Sequence, residues 1–206
     1  IHDRRQRQMC IRDRASTAYH LAKLGWKDIT VLDQGPLFET GGSTSHAPGG
    51  VFQTNPSRMM CKFAQYTVDL LRSLEFEGKP CYHTVGGIEV SKTKERHEDL
   101  YRKLGLAHSY GLSEATIITP EEVQKMSPYI DPEKIYGGYY VPTDGLAAPV
   151  RAVQAMAKYV TDLGAGKFIG NTAVTGFKIS NNQIQGVETE NGLFEADIVL
   201  VATGIW

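Results

Sequence analysis

The chain has no long apolar run; nothing in its 206 residues approaches the ~20 that cross a bilayer. Neither charge is in surplus: 22 Lys plus Arg stand against 23 Asp plus Glu, for a net charge of -1. That balance excludes a protein that holds nucleic acid through a net positive field. Only three cysteines occur, Cys10, Cys61 and Cys81, an odd and widely spaced set that points to free thiols in a reducing compartment. There is no Cys-x-x-Cys pair and no Gly-x-Ser-x-Gly elbow. His2, His20, His83, His97 and His108 show neither the i, i+4 nor the Cys-paired spacing of a metal site. Metal and acyl-transfer chemistry therefore fall away. A basic start followed by an apolar stretch and a small-residue cleavage site is also missing, so no export signal is expected. At 41% apolar, the length suits one sizeable core and hardly two.

Glycine is what the chain has in excess, 21 residues, half again the usual ~7%. The first fourteen residues, IHDRRQRQMCIRDR, hold five Arg, no Gly and no helix or strand period. They read as a disordered basic tail, as a nucleic-acid or localisation patch, or as a non-native leader. From Ala15 the pattern is orderly. ASTAYHLAKLG predicts a helix with Ala18, Leu21 and Ala22 on one face and a stop at Lys23 and Gly25. ITVLD (Ile29 to Asp33) reads as a buried parallel strand. Asn55-Pro56 predicts a helix start, with Met59 or Met60, Phe63, Thr67, Leu70 or Leu71, and Leu74 along one side.

Further on, a strand over His83 to Val90 and a charged helix from Lys94 to Leu104, stopped by Gly105, are expected. Thr119 and Glu122 form a capping box. GGYYV is a strand ending at Pro142, with Tyr129, Tyr136, Tyr139 and Tyr140 as core residues or the lining of an aromatic pocket. A helix carrying Val150, Val153, Ala157 and Val160 runs to Gly164. Strands over Ala173 to Ser180, Gln183 to Thr189 and Leu193 to Glu195 make a meander with Asn191-Gly192 as a hairpin turn. ADIVLVATG (Ala196 to Gly204) has the pattern of a strand buried on both faces.

Two features carry chemistry. An acid at the end of the second strand of a dinucleotide fold accepts hydrogen bonds from the adenosine ribose, which is the role open to Asp33. The glycine fingerprint that should precede it by ~20 residues is missing: positions 9, 11 and 14 are Met9, Ile11 and Arg14. Side chains there would fill the space where backbone must approach a pyrophosphate. By its residues alone Asp33 is a ribose ligand or an ordinary strand-end acid. The second feature is GGSTSHAPGG (Gly41 to Gly50), a loop able to wrap a polar ligand with its amides. His46 within it is either a nucleophile or hydrogen-bonding group, or a solvated surface residue.

VLDQGPLFETGGSTSHAPGGVFQTNPSRMM (31–60) closely resembles the amino-terminal flavin domain of dimethylglycine oxidases and dehydrogenases. These are relatives of sarcosine dehydrogenase in the D-amino-acid-oxidase-like superfamily. The resemblance continues through YHTVGGIEVSKTKERHEDL (82–100), VPTDGLAAPVRAV (141–153) and EADIVLVATGIW (195–206), and so covers nearly everything from Ala15 to Trp206.

It implies an α/β fold: an incomplete FAD-binding Rossmann-like parallel sheet, a three-stranded β-meander and part of an α+β substrate domain. Dinucleotide-binding segments would occupy about 15–75 and 165–206, with a substrate-side insertion at about 76–164 and the leader at 1–14. In the family, the histidine of the Gly-Ser-Thr-x-His segment is joined to the 8α-methyl of FAD, which carries onto His46. Asp33 and Gln34 would meet the adenosine half, and Gly41, Gly42, Ser43 and Thr44 the pyrophosphate and flavin. Val174 would lie by the adenine, and Ala202, Thr203 and Gly204 would return to the dinucleotide. Gly145 and Pro149 match structural positions on the substrate side.

The implied reaction is oxidative demethylation of dimethylglycine or sarcosine, with a hydride passing to FAD. Electrons leave to oxygen or to an electron-transfer flavoprotein, and formaldehyde is released or captured by tetrahydrofolate on carboxy-terminal domains. Such proteins are cytoplasmic, or in the mitochondrial matrix of eukaryotes, and bind neither nucleic acid nor membrane. The catalytic residues that bind and deprotonate the amine are expected beyond Trp206, so the chain 1–206 is expected to be inactive alone. A non-catalytic relative, similar to the regulatory subunit of pyruvate dehydrogenase phosphatase, is the second reading. An NAD-dependent dehydrogenase sharing the βαβ half is the third.

Overall fold

Periodicity and capping signals turn into elements in the order the sequence leads one to expect, with differences at several ends. The computed structural model describes residues 11–38 and 43–203. From the start these are α1 (Ile11–Lys23), β1 (Ile29–Leu32), the single-turn α2 (Ser43–His46), β2 (Gly50–Val51) and α3 (Arg58–Ser73). Four short strands follow, β3 (Glu75–Phe76), β4 (Lys79–Pro80), β5 (Tyr82–His83) and β6 (Gly87–Ser91), and then α4 (Lys94–Ser109). β7 (Thr116–Ile118), α5 (Pro120–Met126), a 3-10 turn at Pro132–Lys134, β8 (Gly137–Val141) and β9 (Gly145–Ala147) lead into α6 (Pro149–Asp162). Last come β10 (Gly166–Ile169), β11 (Val174–Ser180), β12 (Gln183–Thr189) and β13 (Gly192–Glu195).

Two compact units result, where the length suggested one core. The first is built from Ile1–Ala47, Glu75–Glu77 and Pro149–Trp206, the second from Pro48–Leu74 and Gly78–Ala148. In the first unit β1 and β10 pair in parallel, Ile29 opposite Gly166 through Leu32 opposite Ile169. A Cβ on Gly166 would sit 2.3 Å from the Ile29 carbonyl oxygen, so this approach of backbones requires glycine. α1 packs on α6. Small inward residues make that possible: Ala15, Ala18 and Ala22 on one helix and Ala152, Val153, Ala157 and Val160 on the other are all buried. Tyr19 packs against Tyr159 with tilted rings whose centroids are 4.8 Å apart.

α1 starts at Ile11, not Ala15. Residues 11–14 of the Arg-rich leader are thus helical, because they extend a helix whose inward face is already held by packing. The rest of the leader lies outside the described residues. The meander forms as expected, in the order β11-β12-β13. Its first turn places both Asn181 (φ 50°) and Asn182 (φ 60°) in the left-handed region, and Gly192 (φ 109°) serves the second. The strand expected over Ala196 to Gly204 does not form across 196–203; Ile198, Leu200 and Val201 are exposed instead. An apolar strand of that kind needs a ladder beside it. Among the described residues the parallel sheet holds only β1 and β10.

In the second unit, β6-β8-β7 and β2-β9-β5 form antiparallel sheets. One apolar cluster holds Cys61, Leu100, Ala107, Leu112, Tyr139 and Val141, and another Ile118, Val123 and Ile135. Cys61 and Cys81 are buried thiols, not disulfide-bonded. α3 is capped by Ser57, whose hydroxyl accepts from the Met60 amide, while Asn55 accepts from the Ser57 amide one step earlier. The start is therefore two residues later than the Asn-Pro signal. α3 buries Cys61, Val68 and Leu71, leaving Met59, Met60 and Phe63 exposed.

α4 runs through Gly105 to Ser109, where Tyr110 and Gly111 (φ 97°) end it. The Thr119–Glu122 capping box is present in both directions. Tyr129 is wholly exposed and Tyr139 is buried against Thr54, so the tyrosines do not share one pocket.

Asp144, in the turn between β8 and β9, is 3% exposed. Its Oδ1 accepts from the Gln53 amide and from Gln53 Nε2, both at 3.0 Å. Burial pushes its carboxyl above the usual range, against the pull of the Gln53 hydrogen bonds. Nearby Tyr82, which donates to the Thr143 carbonyl, is pushed up to about 12 by burial and by the Asp144 charge. A carboxyl raised on folding adds stability below its unfolded value and loses it as pH rises through the folded value. Asp144→Asn keeps the acceptor and removes the charge. It should gain on the wild type in urea titrations as pH rises from acidic to neutral. Asp144→Ala, which strands the Gln53 donors, should cost about 1–3 kcal/mol. Parallel pH profiles for Asp144→Asn and wild type would contradict this account.

Candidate functional site

The strand-end acid and the histidine of the glycine-rich stretch both fall in the first unit, on different supports. Asp33 follows β1 directly. Its amide donates to the Ile169 carbonyl at 2.9 Å, and its own carbonyl accepts from Thr172 at 2.8 Å. These bonds tie the end of β1 to the end of β10 and bring the chain round to Val174, which opens β11 and is half exposed. Gln34 is exposed beside Asp33, at the mouth of the same turn.

The Asp33 side chain is 5% exposed and both its oxygens are engaged. Oδ1 accepts from the Gly35 amide at 3.1 Å, and Oδ2 accepts from Arg14 Nη2 at 2.7 Å. Arg14 Nη1 reaches the Leu32 carbonyl at 3.3 Å. Arg14 was visible in the sequence only as a residue where the third fingerprint glycine should stand. The signal that could have placed it is its spacing. It lies four residues before the buried Ala18, and so on the same side of α1.

The histidine of the glycine-rich turn sits on α2, which packs against α6. Thr44 is buried and His46 exposed. His46 Nδ1 lies 3.2 Å from the Ser45 hydroxyl. With Nδ1 donating to Ser45, Nε2 carries the lone pair that a nucleophile needs. Ser45 was not among the residues singled out from the sequence. Gly41, Gly42 and Gly204 lie outside the described residues; Ser43 begins α2. Ala202 is partly buried and Thr203 exposed, both on the extended segment after β13. Gly145 pairs with Val51 in the second unit, where a Cβ would meet the His83 carbonyl at 2.1 Å, and Pro149 begins α6; both serve as structural positions.

A cavity of about 200 Å³ in the second unit is lined by Gln53, Gln65, Asp69, Arg72, Glu114 and Thr143, among others, and by none of these site residues. No group of three or more His, Cys, Asp or Glu among the described residues is placed to hold a metal. No helix there is long and apolar enough to cross a membrane.

The residues bear differently on the two ends of a flavin dinucleotide. The exposed imidazole of α2 suits the flavin side. On the adenosine side the buried Asp33 carboxylate already accepts one hydrogen bond at each oxygen and keeps lone pairs that a ribose hydroxyl could share.

A family model described as FAD dependent oxidoreductase (DAO) matches residues 15–206. Mitochondrial sarcosine dehydrogenase of Homo sapiens is 30% identical over 199 residues, covering 92% of this chain and 21% of that protein. Mitochondrial dimethylglycine dehydrogenase of Homo sapiens is 31% identical over 193 residues, covering 93% and 22%. The mitochondrial pyruvate dehydrogenase phosphatase regulatory subunit of Mus musculus matches to the same extent, 31% over 193 residues. The chain thus spans about a fifth of the length of these relatives. Among solved structures, L-proline dehydrogenase from P. horikoshii superposes with a TM-score of 0.81 at 27% identity, covering 93% of this chain and 50% of that one.

Removing the Asp33 carboxylate takes away one partner of the part-buried Arg14 and the acceptor of the Gly35 amide. Asp33→Ala is therefore expected to lower stability by roughly 3 kcal/mol, read as a fall in the urea midpoint. A loss within about 0.5 kcal/mol would class the pair with exposed ones.

Proposed function

The chain belongs to the FAD-dependent oxidoreductase family, the part that includes the sarcosine and dimethylglycine dehydrogenases, and on that premise we propose that it is a segment of an amine oxidoreductase. Its substrate in this reading is an N-methylated glycine, dimethylglycine or sarcosine, which loses a methyl group by oxidation. The observation that carries the proposal is the family match across 15–206, with likeness to both named dehydrogenases over more than nine-tenths of the chain.

FAD, when bound, supplies the acceptor for the hydride that leaves the N-methyl carbon. The chain's own residues would bind and hold it. The first unit is the dinucleotide side in this reading, with the exposed His46 and the buried Thr44 on α2, and the exposed Gln34 beside the buried Asp33 at the end of β1. Ser43, Val174, Ala202 and Thr203, with Gly41, Gly42 and Gly204, are proposed as further contacts. His46 is the proposed point of covalent attachment: its imidazole is exposed, and the Ser45 contact at Nδ1 orients the ring. The second unit is the substrate side. Transfer of electrons to oxygen or to an electron-transfer flavoprotein, and of the one-carbon unit to tetrahydrofolate, belongs to the whole protein.

A specific observation favours one other reading. The pyruvate dehydrogenase phosphatase regulatory subunit is as similar as the dehydrogenases, which supports a flavin module with a regulatory role.

In a full-length protein carrying residues 15–206, flavin should stay with the polypeptide after acid precipitation, and His46→Ala should release it. Dimethylglycine or sarcosine should bleach the visible flavin band anaerobically, and glycine should not. Flavin released by acid from the wild type would refute the histidyl link. Bound flavin indifferent to every N-methylated glycine would favour the regulatory reading.

A further inference from the structure

α3 is apolar on two opposite sides. One side buries Cys61, Val68 and Leu71 within the second unit. At 3.6 residues per turn, Met59, Phe63 and Tyr66 fall on one line along the other side. They are 58%, 58% and 51% exposed, and Met60 beside them is exposed as well. A surface helix ordinarily turns charged and polar residues outward. Large apolar side chains gathered there instead mark a contact surface.

The charges bordering this stripe select what fits it. Arg58, Lys62 and Asp69 are exposed and lie on the same flank of α3, Lys62 one turn after Arg58 and Asp69 two turns further on. No ion pair among the described residues engages any of the three. Two cations at one end of the flank and an anion at the other make the stripe complementary to itself reversed. In an antiparallel pair of α3 helices related by a two-fold axis between Phe63 and Tyr66, like flanks meet and every contact occurs twice. Phe63 of each copy then faces Tyr66 of the other. Asp69 of each copy falls between Arg58 and Lys62 of the other, about 3 Å along the axis from each and within reach of both long side chains. An anionic membrane or an acidic helix would suit Arg58 and Lys62 but would meet Asp69 with like charge. A reversed copy satisfies all three.

We propose that the outer face of α3 is the interface of a two-fold homodimer of this chain. A single helix pair buries roughly 1,000 Å² in all, at the small end of specific interfaces, so the dimer is a weak and reversible one. The inference is independent of the flavin reading.

Sedimentation equilibrium of the chain 1–206 tests it. With a dissociation constant on the order of 10 µM, the wild type should be mostly dimeric at about 100 µM and mostly monomeric at about 1 µM. F63E should be monomeric at the higher concentration, with unchanged helical circular dichroism because Phe63 is exposed. D69K sets three cations together and R58E/K62E sets three anions together, so each alone should dimerise about tenfold more weakly or worse. An equimolar mixture of D69K and R58E/K62E should recover the wild-type level of dimer, because each reversal then meets its opposite. That recovery also shows both variants to be folded.

A wild type that is monomeric at both concentrations overturns the proposal, and its cosedimentation with phosphatidylserine vesicles would give the face to an anionic membrane instead. A dimer that F63E leaves intact overturns it by placing the interface elsewhere. A mixture no more dimeric than its two components overturns the antiparallel pairing on which it stands.

Discussion

A carboxylate removed from water must be met by donors, and in the first unit everything near the strand ends is arranged by that demand at Asp33. The residue uses all of its polar atoms. Its amide meets Ile169, its carbonyl meets Thr172, one carboxylate oxygen meets Gly35 and the other meets Arg14. Four segments are thereby joined at one point: the start of α1, the end of β1, the end of β10 and the approach to β11. The parallel sheet has only two strands among the described residues, so such a junction does what a wider ladder would do elsewhere.

Asp144 meets the same demand in the second unit with different partners. Its donors are the neutral amide and side chain of Gln53, and burial holds its carboxyl above the usual range. Glu89 shows the opposite balance: burial pulls it up, but Lys103 and Arg96 outweigh that and hold it below the usual range. The contrast follows from partner charge. Neutral donors offset only part of the desolvation of a charge, whereas in Glu89 the two cations outweigh it.

The family relationship and the local structure meet at Asp33 and pull in different directions. Membership places a flavin dinucleotide in the history of this fold, and α2 offers a histidine in an accessible turn. At the adenosine end the Asp33 carboxylate meets Arg14, which stands where the fingerprint would have a glycine. The exposed apolar segment after β13 belongs to the same region. It has the composition of a central strand and, among the described residues, no ladder to join.

Local signals were legible where their physics is local. The capping box at Thr119, the Gly164 stop after α6, the Asn191-Gly192 turn and the three short strands of the meander each act within a few residues. The α/β class and the family followed from such stretches and from the block around His46. Positions set by long-range neighbours were not legible. Phe63 and Met59 have helical spacing, yet α3 buries Cys61 and Val68 instead, because the cluster around Leu100 and Tyr139 selects that face.

The sequence by itself determined the longer helices, the meander and the presence of an acid at a strand end, since caps, turns and periods are written in adjacent residues. Only the tertiary structure decided that Arg14 would meet Asp33 across 19 positions and Gln53 would meet Asp144 across 91. The reason is that a buried charge takes whichever donor the packing brings within about 3 Å, and packing depends on all the segments at once.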